Sequence, residues 1–323
     1  MATIHGKKIK LFSLSANPEL AQEIAECMGT GLSDCTITRF ADGEISVNIG
    51  ETVRGHDVFV IQPTSAPAND HYMELLIFVD ALKRASARTI NVVMPYYGYS
   101  RQDRKALARQ PISAKLMADL LQAAGITRVV CMDLHAAQIQ GFFDVPIDNF
   151  EALPIMVQYL KKKKLQDLVI VAPDHGGASR ARKFANCFNA PLALIDKRRP
   201  SPNVVEVMNI IGDVEGKNAV IVDDIIDTAG TLTEAARALV KAGAKEVYAV
   251  ATHPVLSGPA IERIQKSPIK ELITTNSIRL PEEKRIAKIK QLSIAKQISQ
   301  GLINIIDDKS VSALFQYKPE QNF

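Results

Sequence analysis

At about 150 residues per domain, the 323-residue chain has room for two domains of ordinary size. Its 47% hydrophobic and 23% charged residues, with 17 Gly and 16 Pro, exclude disordered, collagen-like and low-complexity chains. Thirty-nine Lys and Arg against 35 Asp and Glu leave a formal charge of +4 spread along the sequence, so neither a nucleic-acid face nor a membrane-binding stripe is expected, and small anions remain candidate ligands.

Cys27, Cys35, Cys131 and Cys187 form no C-x-x-C pair, which argues against a zinc site and a disulfide framework. No stretch approaches the ~18 apolar residues of a membrane span and no apolar leader follows Met1, so a cytoplasmic protein without membrane partners is expected.

In chain order, Arg39-Phe40-Ala41-Asp42-Gly43-Glu44-Ile45 reads as an Asp-Gly turn between two hairpin strands. Thereafter short apolar runs alternate with helical patterns. The runs are Val58-Phe59-Val60-Ile61, Ile90-Asn91-Val92-Val93-Met94, Val129-Val130-Cys131-Met132, Leu168-Val169-Ile170-Val171, Ala219-Val220-Ile221-Val222 and Val247-Tyr248-Ala249-Val250. Each reads as a strand buried on both faces. Residues 74–85, 112–124, 179–188 and 232–242 between them carry apolar side chains at helical spacing. The pattern predicts an α/β fold with mainly parallel sheets.

An internal echo points to two related halves: Ala124-Gly125, Val129 and His135 return 118 residues later as Ala242-Gly243, Val247 and His253. The boundary is expected within 149–154. The lysine run 161–164, with no glycine-rich neighbour, reads as a solvated helix end, and residues 294–306 as a further helix.

Four segments carry chemistry-bearing residues at strand ends. Residues 101–115 hold five cations, Arg101, Arg104, Lys105, Arg109 and Lys115, in a polar loop after a buried strand, the composition of a lid over phosphates. His135 follows a strand at the edge where parallel sheets bind ligands. In Pro173-Asp174-His175-Gly176-Gly177, paired glycines allow close backbone approach and the next residues open a helix, which suits a diphosphate. The run Leu192-Ala193-Leu194-Ile195-Asp196-Lys197-Arg198-Arg199 emits three cations from a buried strand, and an extended chain puts Lys197 and Arg199 on one face.

The sharpest segment is Ala219-Val220-Ile221-Val222-Asp223-Asp224-Ile225-Ile226-Asp227-Thr228-Ala229-Gly230-Thr231, a strand, an acidic pair, a small-residue loop and a helix start. Backbone N–H groups and hydroxyls converge there on one anion. Asp223 and Asp224 would repel a phosphate placed on them, so they belong one sugar-length away, accepting from hydroxyls. A phosphorylated sugar meets both demands. The P-loop and G-x-G-x-x-G fingerprints are missing.

These motifs, in this order and over residues 9–315, resemble the class I ribose-phosphate pyrophosphokinases. The resemblance implies two similar phosphoribosyltransferase-type domains, residues 1–150 and 151–303, each a mainly parallel sheet flanked by helices, with a tail 304–323 packing back on the first. It implies that Asp223 and Asp224 hold the ribose hydroxyls, and that Asp227, Thr228, Ala229, Gly230 and Thr231 surround the 5-phosphate, with Arg199 also on the sugar phosphate. Asp174, His175, Gly176 and Gly177 form the pyrophosphate loop. Phe40 stacks on adenine beside Asp42, Gly43 and Glu44, while Arg101, Gln102 and Asp103 bind ATP. His135 and Asp174 sit at magnesium, and Lys197, Arg199 and Arg101 carry catalysis.

The implied reaction joins Mg-ATP and ribose 5-phosphate to give 5-phosphoribosyl 1-diphosphate and AMP, in a homohexamer built from dimers, with no nucleic-acid partner. A phosphoribosyltransferase would share the sugar-phosphate loop but need one such domain and no ATP loop. A catalytically silent regulatory subunit fits poorly with an uninterrupted 101–115 segment and with Lys197 and Arg199 in place. Ser310 and Ser312 resemble part of a family effector site and read equally well as an edge tail.

Overall fold

The computed structural model describes residues 3–4, 6–198 and 207–315. The first half runs β1 (Thr3–Ile4), β2 (Lys7–Ser13), α1 (Pro18–Cys27), the hairpin strands β3 (Cys35–Arg39) and β4 (Ile45–Ile49), β5 (Asp57–Ile61), α2 (Ala68–Arg84), β6 (Thr89–Met94), α3 (Ser113–Ala124), β7 (Arg128–Met132) and β8 (Ile147–Phe150). The second runs α4 (Leu153–Lys162), β9 (Leu168–Ala172), α5 (Ala178–Phe188), β10 (Leu192–Arg198), β11 (Val207–Ile211), β12 (Asn218–Ile226), α6 (Gly230–Lys241), β13 (Glu246–Pro254), α7 (Ala260–Lys266), β14 (Ile269–Thr275), β15 (Ile289–Leu292) and α8 (Ala295–Ile306).

Two sheets result, ordered β1-β2-β5-β6-β7-β8 and β11-β10-β9-β12-β13-β14-β15. Antiparallel edge pairs β1/β2 and β10/β11 flank otherwise parallel strands. The strands are continuous Val, Ile and Ala runs because helices cover both faces. α2 and α3 pack the outer face of the first sheet, and α6 and α7 that of the second. Between the sheets, α1, α4, α5 and α8 share one apolar core with residues of both. A Cβ on Gly301 of α8 would stand 2.2 Å from the Phe150 ring, so only glycine lets that helix backbone reach the end of the first sheet. Among the described residues no helix is long and apolar enough to cross a membrane.

The echo noted in the sequence links units that are not equivalent. α3 and β7 correspond by position to α7 and β14, whereas the echo matches them to α6 and β13. His135 accordingly stands in the loop after β7, while His253 is buried inside β13. From there its ring contacts Met132 O (3.1 Å), Asp133 O (3.2 Å) and Ser277 Oγ (2.9 Å). Burial lowers its pKa to about 4, so the ring is neutral and acts as a strap between the halves.

Candidate active site

β12 turns into α6 through a tight loop in which Ala229 takes a left-handed conformation, φ 56°. That conformation is strained for a residue with a Cβ, and such strain gathers at ligand-holding turns. No side chain caps α6, leaving its first amide groups open beside the exposed Thr228 and Thr231. Thr233 Oγ1 donates to Ala229 O at 2.9 Å, and Arg263 braces the outside of the turn through Thr228 O at 3.0 Å.

A cavity of about 230 Å³ opens over this loop. Arg101 reaches it from the segment after β6, His135 from that after β7 and Asp174 from that after β9, while Asp223 and Asp224 come from β12 itself. Arg101 donates through Nη1 to Asp227 Oδ2 at 2.6 Å, linking the cationic loop to the turn after β12. Burial pushes Asp227 up, but the Arg101 bond outweighs it and holds the carboxyl below its ordinary value. A second cavity of about 570 Å³ adjoins, lined by Asp103, His135, Gly176, Arg180, Lys183 and Asp223 among others.

The acidic pair divides its roles. Asp224 is buried, and its Oδ2 meets His135 Nδ1 at 2.6 Å while its Oδ1 accepts from Arg180 Nη1 at 3.1 Å. Burial raises its pKa, yet the His135 hydrogen bond and the Arg180 charge outweigh burial and keep it far below the carboxylate range. Asp223 is pushed up to about 7, first by burial and then by the Asp224 charge. Asp224 is thus a fixed anion, and Asp223 titrates near neutrality. The bond from Asp224 raises the His135 pKa.

The remaining residues fall outside this cluster to different degrees. Asp174 Oδ1 accepts the Gly177 N–H at 2.9 Å, which folds the loop at Gly176 and Gly177 back on itself, and the His175 ring turns to Asp196 Oδ1 at 3.1 Å. Gln102 accepts from Ser113, and Asp103 accepts from Gln138. Phe40 is 59% exposed. Arg39 ties its hairpin to Asp70 of α2 at 3.0 Å, and Phe40, Asp42, Gly43 and Glu44 line neither of these two cavities. Lys197 pairs through its backbone with Met208 on β11. Arg199 lies outside the described residues.

Two family models match the chain: the N-terminal domain of ribose phosphate pyrophosphokinase over residues 9–125 and the phosphoribosyl synthetase-associated domain over residues 199–316. The ribose-phosphate pyrophosphokinase of Bacillus subtilis strain 168 is 62% identical over 96% of this chain and 98% of its own. That of Bacillus caldolyticus is 64% identical over 95% and 98%. The crystal structure of phosphoribosylpyrophosphate synthetase from Mycobacterium smegmatis superposes with a TM-score of 0.89 at 42% identity, covering 94% of this chain and all of that one.

The chain belongs to the ribose-phosphate pyrophosphokinases. It is an enzyme of that type with two phosphoribosyltransferase-type halves, and neither the regulatory-subunit nor the phosphoribosyltransferase reading is favoured.

Within this pyrophosphokinase the structure adds a residue to which the sequence assigned no role. Arg180, third residue of α5, lies 3.1 Å from Asp224 and 3.9 Å from Asp223. The available signal was position: a cation in the first turn of a helix that opens at a binding-edge loop disfavours its own helix dipole, so it needs an acidic partner across the crevice.

Proposed function

We propose that this enzyme transfers the β,γ-diphosphate of ATP to C1 of ribose 5-phosphate, releasing AMP, and that it does so in the cytoplasm. The observation that carries the reading is the uncapped, small-residue start of α6 standing beside a pair of aspartates, with Arg101 and His135 brought over it from the other half. The 5-phosphate takes the open amides and the Thr228 and Thr231 hydroxyls. Asp223 and Asp224 accept from the ribose 2- and 3-hydroxyls, which fixes the C1 hydroxyl toward the ATP β-phosphorus. No nucleophilic side chain is needed: in a loose, in-line transfer the protein positions the reactants and neutralises charge, and one well-placed cation supplies roughly 1,000- to 100,000-fold in rate. Lys197, Arg199 and Arg101 have the charge for that role.

The donors suit magnesium carried in on phosphates. His135 has Nδ1 engaged by Asp224, leaving Nε2, and Asp174 keeps Oδ2 beyond its bond to Gly177. Among the described residues no three His, Cys, Asp or Glu side chains form a complete cage, as expected for an ion that retains water and substrate oxygens. When bound, the ion lowers the repulsion between sugar and triphosphate.

Self-association into a homohexamer built from dimers belongs to the same proposal. Its support is the exposed Phe40 with the exposed Met73, Leu116 and Leu120 on α2 and α3, and a neighbour's hairpin would bring Phe40, Asp42, Gly43 and Glu44 to the ATP side. The test is AMP release from Mg-ATP and ribose 5-phosphate by the parent and by Lys197→Ala. The variant is expected to lose at least about 1,000-fold in kcat with KM for the sugar little changed; full parental turnover removes Lys197 from the mechanism.

A further inference from the structure

A third cavity, of about 520 Å³, lies on the first half at the counterpart of the sugar-phosphate turn. α2 follows β5 in the first half as α6 follows β12 in the second, and residues 62–67 take the place of the 227–229 loop. The 17-residue α2 likewise opens without a side-chain cap, so its first amides are free to donate. Asp70, the acid in its first turn, is held away by Arg39.

An open helix end is common, and the decisive feature is the wall facing it. Ser65 and Tyr96, 7% and 6% exposed, both line the cavity. Among the described residues neither hydroxyl has a hydrogen-bond partner. Neither hydroxyl is sealed from solvent, so each is free to serve a ligand in the cavity. The neighbouring tyrosines are not free in this way, since Tyr72 donates to Gly98 O at 2.8 Å and Tyr97 to Ala114 O at 2.9 Å. The wall is also rigid. Thr64 Oγ1 donates to Tyr96 O at 3.2 Å and accepts the Gly98 N–H at 2.8 Å, and Gly98 sits so close to Thr64 that a Cβ would stand 2.4 Å from its carbonyl oxygen.

Arg101 lines this cavity as well as the sugar-phosphate one and uses one guanidinium nitrogen on Asp227. Two unpartnered hydroxyls, open amides and an arginine make a surface of donors, which calls for a ligand rich in acceptor oxygens.

We propose that this cavity is a second anion site, binding the phosphate group of a small phosphomonoester or free phosphate through Ser65, Tyr96 and the start of α2. It is separate from the turn at 227–231, and nothing in it requires that turn to hold a sugar.

The test uses crystals of the full chain saturated with ribose 5-phosphate and soaked separately in arsenate, read by its anomalous signal, and in AMP. An arsenic peak within hydrogen-bond distance of Ser65 Oγ and Tyr96 OH is expected, and it should vanish in the double variant Ser65→Ala, Tyr96→Phe. AMP seated with its phosphate at the same place assigns the site to phosphomonoesters, and arsenate without AMP assigns it to free phosphate. Because the double substitution removes two unpartnered hydroxyls, the unliganded variant should melt no lower than the parent; should it fail to fold, Tyr96→Phe alone carries the comparison. A cavity holding only water in both soaks, or a peak of equal occupancy in the variant, overturns the proposal. Density at 227–231 in the same crystals reports separately on the sugar-phosphate reading.

Discussion

The two halves share one plan, strand, helix, hairpin, strand, helix, strand, helix, and two further strands, yet they use the hairpin differently. In the second half β10 pairs with β9, so the strand order reverses between β9 and β12. Ligands of open α/β sheets bind at such a reversal, and the Asp174 loop and the 227–231 turn are the two loops that border it. In the first half β3 and β4 leave the sheet as a separate ribbon against α2, and β2, β5, β6, β7 and β8 follow one another without reversal. That half has no switch point of its own. It contributes loops to its sister's crevice, Arg101 and His135 among them, and carries an aromatic tip into solvent. Duplicating a fold therefore does not duplicate its crevice, because pairing or releasing a single hairpin decides which copy has one.

Removing the anion at the crevice is the largest challenge to this division. Asp224→Asn strands the Arg180 guanidinium and frees His135, and breaking a buried hydrogen-bonded charge pair costs about 2 to 5 kcal/mol. A fall of roughly 100- to 1,000-fold in kcat/KM for ribose 5-phosphate is expected in steady-state assays; a loss below about fivefold means the crevice does not hold the sugar. The released ribbon predicts a different signature. Phe40→Ala should raise KM for ATP by about tenfold, within the ~1 to 3 kcal/mol of base stacking, leaving KM for ribose 5-phosphate and the melting temperature unchanged.

The smallest effect is the pH dependence of the bond between the halves. Its hydrogen bond to Asp224 raises His135 above 6.5, so the pair adds its full stability below that pH and loses it as pH rises through the raised value. Asp224, held low, stays charged throughout that window. In metal-free buffer the melting-temperature advantage of the parent over His135→Gln should be greatest below pH 6.5 and shrink as pH rises through the raised His135 value.

Much of this is legible in the amino-acid sequence. The β-branched runs at β5, β6, β9 and β12 announce doubly covered strands, and Asp42-Gly43 marks the hairpin. The 223–231 segment reads as a phosphate turn because small residues, hydroxyls and acids have few other reasons to share a strand end. Residues joined only by folding were not legible. Arg180 lies 44 positions from Asp224 and Arg101 lies 126 from Asp227, and neither spacing carries a period. The β10/β11 and β3/β4 ribbons read alike locally, and their fates are set by what the flanking sheet offers. His253 resembled a second copy of His135 because helix and strand recur with the same local pattern in every unit, and only the strand order separates them.

The proposed reaction depends on the turn after β12 recognising a phosphate ester. Titration calorimetry of ribose 5-phosphate and of plain ribose, against the parent and a Thr228→Val, Thr231→Val double variant, tests this most directly. The parent should prefer ribose 5-phosphate by at least about 100-fold, close to 3 kcal/mol, and the variant should lose about tenfold or more on the phosphate ester alone. Equal affinity of parent and variant for ribose 5-phosphate would contradict it.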